Sequence, residues 1–193
     1  MRVTAILGSR NRSGRTAEAL DAVLGAMTTR GTDVESYVLP EIQLESCRQC
    51  DADGWGECKR QGTCVIEDDF QAIVDTVRSS DGVVFATPVY YSDLSESMKV
   101  FTDRLRRCSA PFNSRTGTNV NHLPAVGLCN AGGGGGGSEQ CAVNLKKVLA
   151  TCGFNVLDMV PVRRQNMDTK LGTLASLGGW FFDQIESGGW ERP

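Results

Sequence analysis

The chain has 193 residues, 40% apolar and 22% charged, with a formal net charge of −3. That length and mix suit one domain, 1–193, with a substantial core. The acidic balance speaks against nucleic acid or an anionic membrane as partner, because both leave a basic footprint.

In chain order, Met1 to Leu7 reads as a strand ended by Gly8. No secretory signal is visible in the opening MRVTAILGS, and no run approaches the ~20 apolar residues of a membrane span, so a cytoplasmic protein is expected. From Thr16, the apolar residues Leu20, Val23, Leu24 and Met27 recur at the spacing of one helical face, and Arg30-Gly31 closes that helix. Val34 to Leu39 reads as a second strand, and 40–67 as an irregular cysteine-containing insertion. Asp68 opens a helix carrying Phe70, Ile73, Val74 and Val77 on one face, with Gln71 placed as in a capping box. The run DGVVFATP is continuous enough for a strand buried on both faces. Leu94, Met98, Phe101 and Leu105 mark a third helix, whose end carries Arg104, Arg106 and Arg107 as a solvated basic group. LPAVGLCN is a fourth strand, AGGGGGGSEQ a glycine loop, and Leu145, Val148, Leu149 and Cys152 mark a fourth helix. Phe154 to Val160 is a fifth strand. A helical segment, 163–193, follows, with its helix over Leu171 to Ile185 and a point of possible breakage at Gly178-Gly179.

Strand and helix alternate five times, which predicts an α/β fold with a parallel sheet covered on both faces. Right-handed crossovers make it a doubly wound, three-layer α/β/α domain, and five strands fit the flavodoxin-like order 2-1-3-4-5. In such sheets ligands bind beyond the carboxyl ends of the strands, where the strand order reverses. The loops there read GSRNRSGRT, TPVYYSDLS and CNAGGGGGGSE.

The first loop leads into a helix N-terminus, which offers unpaired N–H groups and a positive dipole end. Ser9, Ser13 and Thr16 add hydroxyls, Arg10, Arg12 and Arg15 add charge, and Gly14 lets the backbone approach a ligand. Five residues separate Gly8 from Gly14, and Arg15 stands where a Walker loop needs lysine. The G-x-G-x-x-G pattern is absent too, so the loop suits a single terminal phosphate, with a plain helix cap as the alternative. Which arginine meets the phosphate is left open. In the second loop, Pro88, Val89, Tyr90, Tyr91 and Ser92 are candidates to flank a flat heterocycle, one tyrosine packing in the core and the other on the ligand. Asp93 and Ser95 belong to the same candidate set and also suit a helix cap. In the third loop, contact is expected at its start, Asn130, Ala131, Gly132 and Gly133, rather than at its end.

Four cysteines cluster at Cys47, Cys50, Cys58 and Cys64, while Cys108, Cys129, Cys141 and Cys152 read as small buried hydrophobes. The cluster admits three readings: a [4Fe–4S] centre, a structural zinc, or a loop that binds no metal. The one histidine, His122, falls in a loop, so histidine-based catalysis has little support and no catalytic side chain is assigned.

These residues resemble a known family. GSRNRSGRT is similar to the phosphate loop of NADPH-dependent FMN reductase-like flavoproteins, and PVYYSDLSESMKVFTDR to a second segment of theirs. Cys47 to Asp69 resembles the iron-sulfur flavoprotein branch. The resemblance implies bound FMN, NAD(P)H as electron donor, a quinone, other small molecule or ferredoxin-like protein as acceptor, and homodimers or homotetramers whose interface borders the flavin. It departs at Arg10, Asn11 and Arg15, and in the seven residues between Cys50 and Cys58, where the branch has a compact spacing and this chain carries Asp53. The leading expectation is an FMN-dependent oxidoreductase. An iron-sulfur electron carrier and a nucleotide-binding regulatory module are the alternatives.

Overall fold

The apolar runs of the sequence become the strands β1 (Arg2–Leu7), β2 (Asp33–Val38), β3 (Gly82–Tyr90), β5 (Pro124–Ala131) and β6 (Asn155–Arg163), with a two-residue β4 (Asp93–Leu94). The structure, a computed structural model, describes residues 1–109, 120 and 122–189. The long strands run parallel in the order β2-β1-β3-β5-β6, and β4 folds back antiparallel onto the end of β3. With β4 set aside, this is the expected order 2-1-3-4-5.

Alternate side chains leave the sheet on opposite faces, as the period of two requires. Ile6, Val83 and Phe85 meet α3 (Phe70–Arg78), α4 (Glu96–Ser109) and α5 (Ser138–Cys152) on one side. Val3, Ala5, Val84 and Ala86 meet α1 (Arg15–Thr28) and α6 (Met167–Ser187) on the other. A short α2 (Glu57–Gln61) lies within the cysteine insertion. Cys108, Cys129, Cys141 and Cys152 are buried, as their apolar neighbours imply.

Two local expectations are corrected. Gly178-Gly179 does not break α6, which is continuous over Met167–Ser187. A Cβ on Gly178 would stand 2.2 Å from the Val23 carbonyl oxygen, so this glycine lets α6 lie against α1. Nor does Asp68 form a capping box with Gln71. The helix starts at Phe70 with Asp69 before it, and Gln71 donates to Asp75 (2.9 Å). Residues 190–193 of the expected C-terminal segment lie outside the described residues.

Candidate functional site

Strand register brings the three loops together. Leu7 pairs with Ala86 and Pro88 with Asn130, so β1, β3 and β5 end side by side. Beyond them lies a cleft of about 500 Å³, lined by Ser9, Asn11, Gly14, Arg15, Thr16, Pro88, Val89, Tyr90 and the backbone from Asn130 to Gly136. Its size falls in the range of small-molecule sites, about 300–1,000 Å³.

The first loop folds around Asn11. Its Oδ1 accepts from the Ser13 N–H and the Ser13 hydroxyl, both at 3.0 Å. The Ser9 hydroxyl accepts from the Asn11 N–H (3.3 Å) and the Asn11 carbonyl from the Gly14 N–H (3.2 Å). The sequence marks Asn11 only as a departure from the family's phosphate loop and not as a site residue, although asparagine followed closely by serine and glycine is a turn signal. The loop delivers the chain into α1 at Arg15 with Gly14 as N-cap and no side-chain cap among the described residues. First-turn N–H groups are thereby left for a ligand.

The three arginines separate. Arg12 makes a two-pronged pair with Glu41, Nε lying 2.8 Å from Oε1, and is drawn off the cleft. That hydrogen bond, aided by the Arg12 charge and opposed by desolvation, holds the Glu41 carboxyl below its usual range. Arg10 lines a neighbouring hollow with Gly8, Pro40, Tyr90, Ser95, Glu96 and Ser97. Arg15 alone of the three lines the cleft, and it makes no ion pair among the described residues.

In the second loop Tyr90 lines the cleft and is half-exposed, and Tyr91 is fully exposed. Neither tyrosine packs in the core, because β3 runs past the edge of the layers. Tyr91 and Ser92 then turn the chain in left-handed conformations, φ 50° and 65°. Ser92, Asp93 and Ser95 lie off the cleft and build its frame. Ser95 is buried; its hydroxyl donates to the Gly8 carbonyl (2.8 Å) and accepts from the Met98 N–H (3.4 Å), tying β1 to the start of α4. Asp93 accepts from Asn144 on α5 (3.1 Å). Ser92 packs on Gly137, where an added Cβ would stand 2.8 Å from the Ser92 Cα.

The third loop takes part along more of its length than expected, through Gly136. Asn130 fixes it to the first loop by donating to the Arg15 carbonyl (3.2 Å). Gln165 reaches over from the turn before α6 to the Gly133 carbonyl (3.5 Å).

Cys47, Cys50, Cys58 and Cys64 line one small cavity of about 20 Å³ together with Trp55, Arg104, Arg107 and Cys108. Cys108 was read as a plain buried hydrophobe. It sits four residues after Arg104, on the same face of α4, and it contributes a fifth sulfur to the lining. Burial pushes its thiol up to about 12, and burial likewise raises Cys58. Among the described residues, no group of three or more His, Cys, Asp or Glu side chains is placed to hold a single metal ion. A cluster makes a looser demand, since its thiolates attach at separate corners.

Arg104 corrects the reading of a solvated basic helix end. Its side chain is 1% exposed and that of its partner Asp68 0%. Asp68 also accepts from the Glu45 N–H (2.8 Å) and the Phe70 N–H (3.2 Å), so one buried pair closes the cysteine insertion at both ends. Burial alone would raise the Asp68 carboxyl, but the Arg104 hydrogen bonds and these N–H donors outweigh it and hold the group below its usual range.

The family model of NADPH-dependent FMN reductase matches residues 1–170. An iron-sulfur flavoprotein of Archaeoglobus fulgidus is 34% identical over 105 residues, 54% of this chain and 46% of that protein. Another, from Methanocaldococcus jannaschii, is 31% identical over 133 residues, 69% of this chain and 65% of that protein. The chain thus spans between about half and two thirds of the length of these curated relatives. Among solved structures, an NAD(P)H:quinone oxidoreductase from Methanothermobacter marburgensis superposes with a TM-score of 0.69 at 21% identity, over 93% of this chain and 94% of that one. A flavodoxin from the domain Archaea does so with a TM-score of 0.60 at 12% identity, over 96% and 99%. These likenesses establish the flavodoxin-like fold.

Proposed function

The chain belongs to the NADPH-dependent FMN reductase family, and from that premise we propose that the cleft holds FMN and that the protein is an oxidoreductase passing electrons from NAD(P)H to an acceptor. One observation carries the reading: an uncapped helix start with Arg15, Ser9 and Thr16 lines the same cleft as Pro88, Val89, Tyr90 and the glycine loop. The first set suits a doubly charged phosphate and the second a flat ring. A module binding a nucleoside triphosphate through the first loop alone would leave the tyrosine and glycine walls without purpose.

When bound, FMN supplies the hydride acceptor and the electron outlet. The residues of this chain bind and orient it. Arg15 and the first-turn N–H groups of α1 would hold the phosphate. Backbone at Pro88 to Tyr90 would border the ring, and the glycine loop would let the chain pass close to it. In this reading no side chain of the chain is assigned a proton transfer, since the cofactor supplies the redox chemistry. The exposed Tyr90 and Tyr91 favour a homodimer or homotetramer in which a second copy covers this edge. No described helix is long and apolar enough to cross a membrane, and a cytoplasmic setting remains our reading. The acceptor is a quinone, another small molecule or a ferredoxin-like protein. Titration with FMN, followed by NADH or NADPH with a quinone, tests the reading. Failure to bind FMN contradicts it.

A second reading is favoured by the cysteine cavity. Four thiols line it beside a buried arginine with an unsatisfied donor, although the spacing of Cys50 and Cys58 departs from that of the iron-sulfur branch. In kind and number they suit a [4Fe–4S] cluster, which would add one-electron exchange to the flavin chemistry. Iron and acid-labile sulfide assays after anaerobic purification test it, and the lack of both contradicts it.

A further inference from the structure

Arg104 is held end-on. Its Nη1 donates to Asp68 Oδ2 (2.5 Å) and to the Glu45 carbonyl (3.0 Å), and its Nη2 to Asp68 Oδ1 (2.9 Å). The guanidinium carbon lies 4.1 Å from the centre of the Phe70 ring. Three anchors therefore fix a planar, rigid group that cannot turn to seek another acceptor. Of the two N–H groups that these bonds leave over, the Nε–H is on a buried atom that has no hydrogen-bond partner among the described residues. A buried donor left in that state costs about 1–3 kcal/mol, and folded proteins hold few of them. Arg104 lines the cavity of the clustered cysteines. The cavity's one carboxylate, that of Glu57, is engaged by Arg60 (2.6 Å). Among the side chains of this lining, sulfur is the acceptor that remains.

We propose that the Arg104 Nε–H is the internal hydrogen-bond donor to a sulfur of the group held by Cys47, Cys50, Cys58 and Cys64, with Asp68 as the residue that positions it. The proposal rests on the iron-sulfur reading above. A hydrogen bond to a cluster sulfur favours the reduced, more negative state and so raises the reduction potential. The sequence gives Arg104 no such part, since it lies on α4, outside the cysteine segment.

The test uses the full chain, reconstituted anaerobically with ferrous iron and sulfide. Iron and sulfide are counted, the cluster's midpoint potential is measured by spectroelectrochemical titration, and FMN binding reports the fold. Arg104→Lys keeps the charge and the Asp68 pairing but lacks the Nε–H of the fork. It is expected to bind FMN as the parent does and to hold a cluster of lower potential. The double variant D68L/R104M replaces the ion pair by apolar groups of similar size, a change that folds often tolerate, and the same fall in potential is expected. In the parent protein, the Nε–H resonance of 15N-labelled Arg104 is expected to shift on reconstitution, which requires no variant to fold. Unchanged potentials in both variants, or an Nε–H resonance unmoved by reconstitution, overturn the proposal while leaving the cluster reading intact. A parent protein that takes up neither iron nor sulfide overturns the cluster reading and the proposal with it.

Discussion

Three arginines stand within the first loop, and their side chains take three directions. Arg12 is held by Glu41, Arg10 lines a separate hollow, and Arg15 lines the cleft. Hydrogen bonds to charged groups contribute about 1.5–3 kcal/mol, and about 1.4 kcal/mol is tenfold in affinity. R15Q is therefore expected to weaken FMN binding about 10- to 100-fold, and R12Q less than about 3-fold, in a flavin fluorescence titration. Sequence exposed the charge of this loop but not its distribution, because Glu41 lies 29 residues from Arg12. Asp68 poses the same difficulty. Its place before a helix announced a cap, yet its main partner, Arg104, is 36 residues away. Removing one member of such a buried pair costs about 3–5 kcal/mol, and D68A should lose that much in urea denaturation. The sign of the pH dependence follows from a lowered folded pKa. The stabilisation is complete above the usual carboxylate range and is lost as the pH falls through the depressed folded value. In D68N, urea midpoints measured down the acid limb should lack this component.

At the scale of elements, packing between helices and between loops decides what glycine does. Gly178 was legible as a weak point in a helix. Only the position of Val23 on α1 reveals it as a point of close approach. G178A is expected to lower stability by about 1–3 kcal/mol through overpacking, read as a lower Tm with the helical content kept. Gly137 joins the second and third loops. Its φ of +84° favours glycine, and Ser92 fills the space a side chain would need. G137A should displace the glycine loop and weaken FMN binding more than it lowers Tm, a contrast that a paired titration and melt can measure. The long strands and main helices were readable because each carries a complete hydrophobic period. The two-residue β4 was not, since it exists only by pairing with the end of β3.

For the whole molecule, alternating strands and helices made the parallel sheet legible, and the sheet's topology located the cleft at its carboxyl edge. The loops that carried the expected site residues do meet there. What sequence could not apportion was the division between lining and frame: Ser92, Asp93 and Ser95 hold the loops together, while Asn11 and Gly134 to Gly136 join the wall. The cysteine insertion shows the same limit. Its four thiols are evident by spacing, but Cys108 and Arg104 reach the cavity from α4, a helix far along the chain. The most direct test of the flavin site is an anaerobic visible spectrum of the protein titrated with FMN and then given NAD(P)H and a quinone. Saturation at one FMN per chain is expected, with the flavin band bleached by NAD(P)H and restored by the quinone. A protein that stays flavin-free in excess FMN would contradict the account.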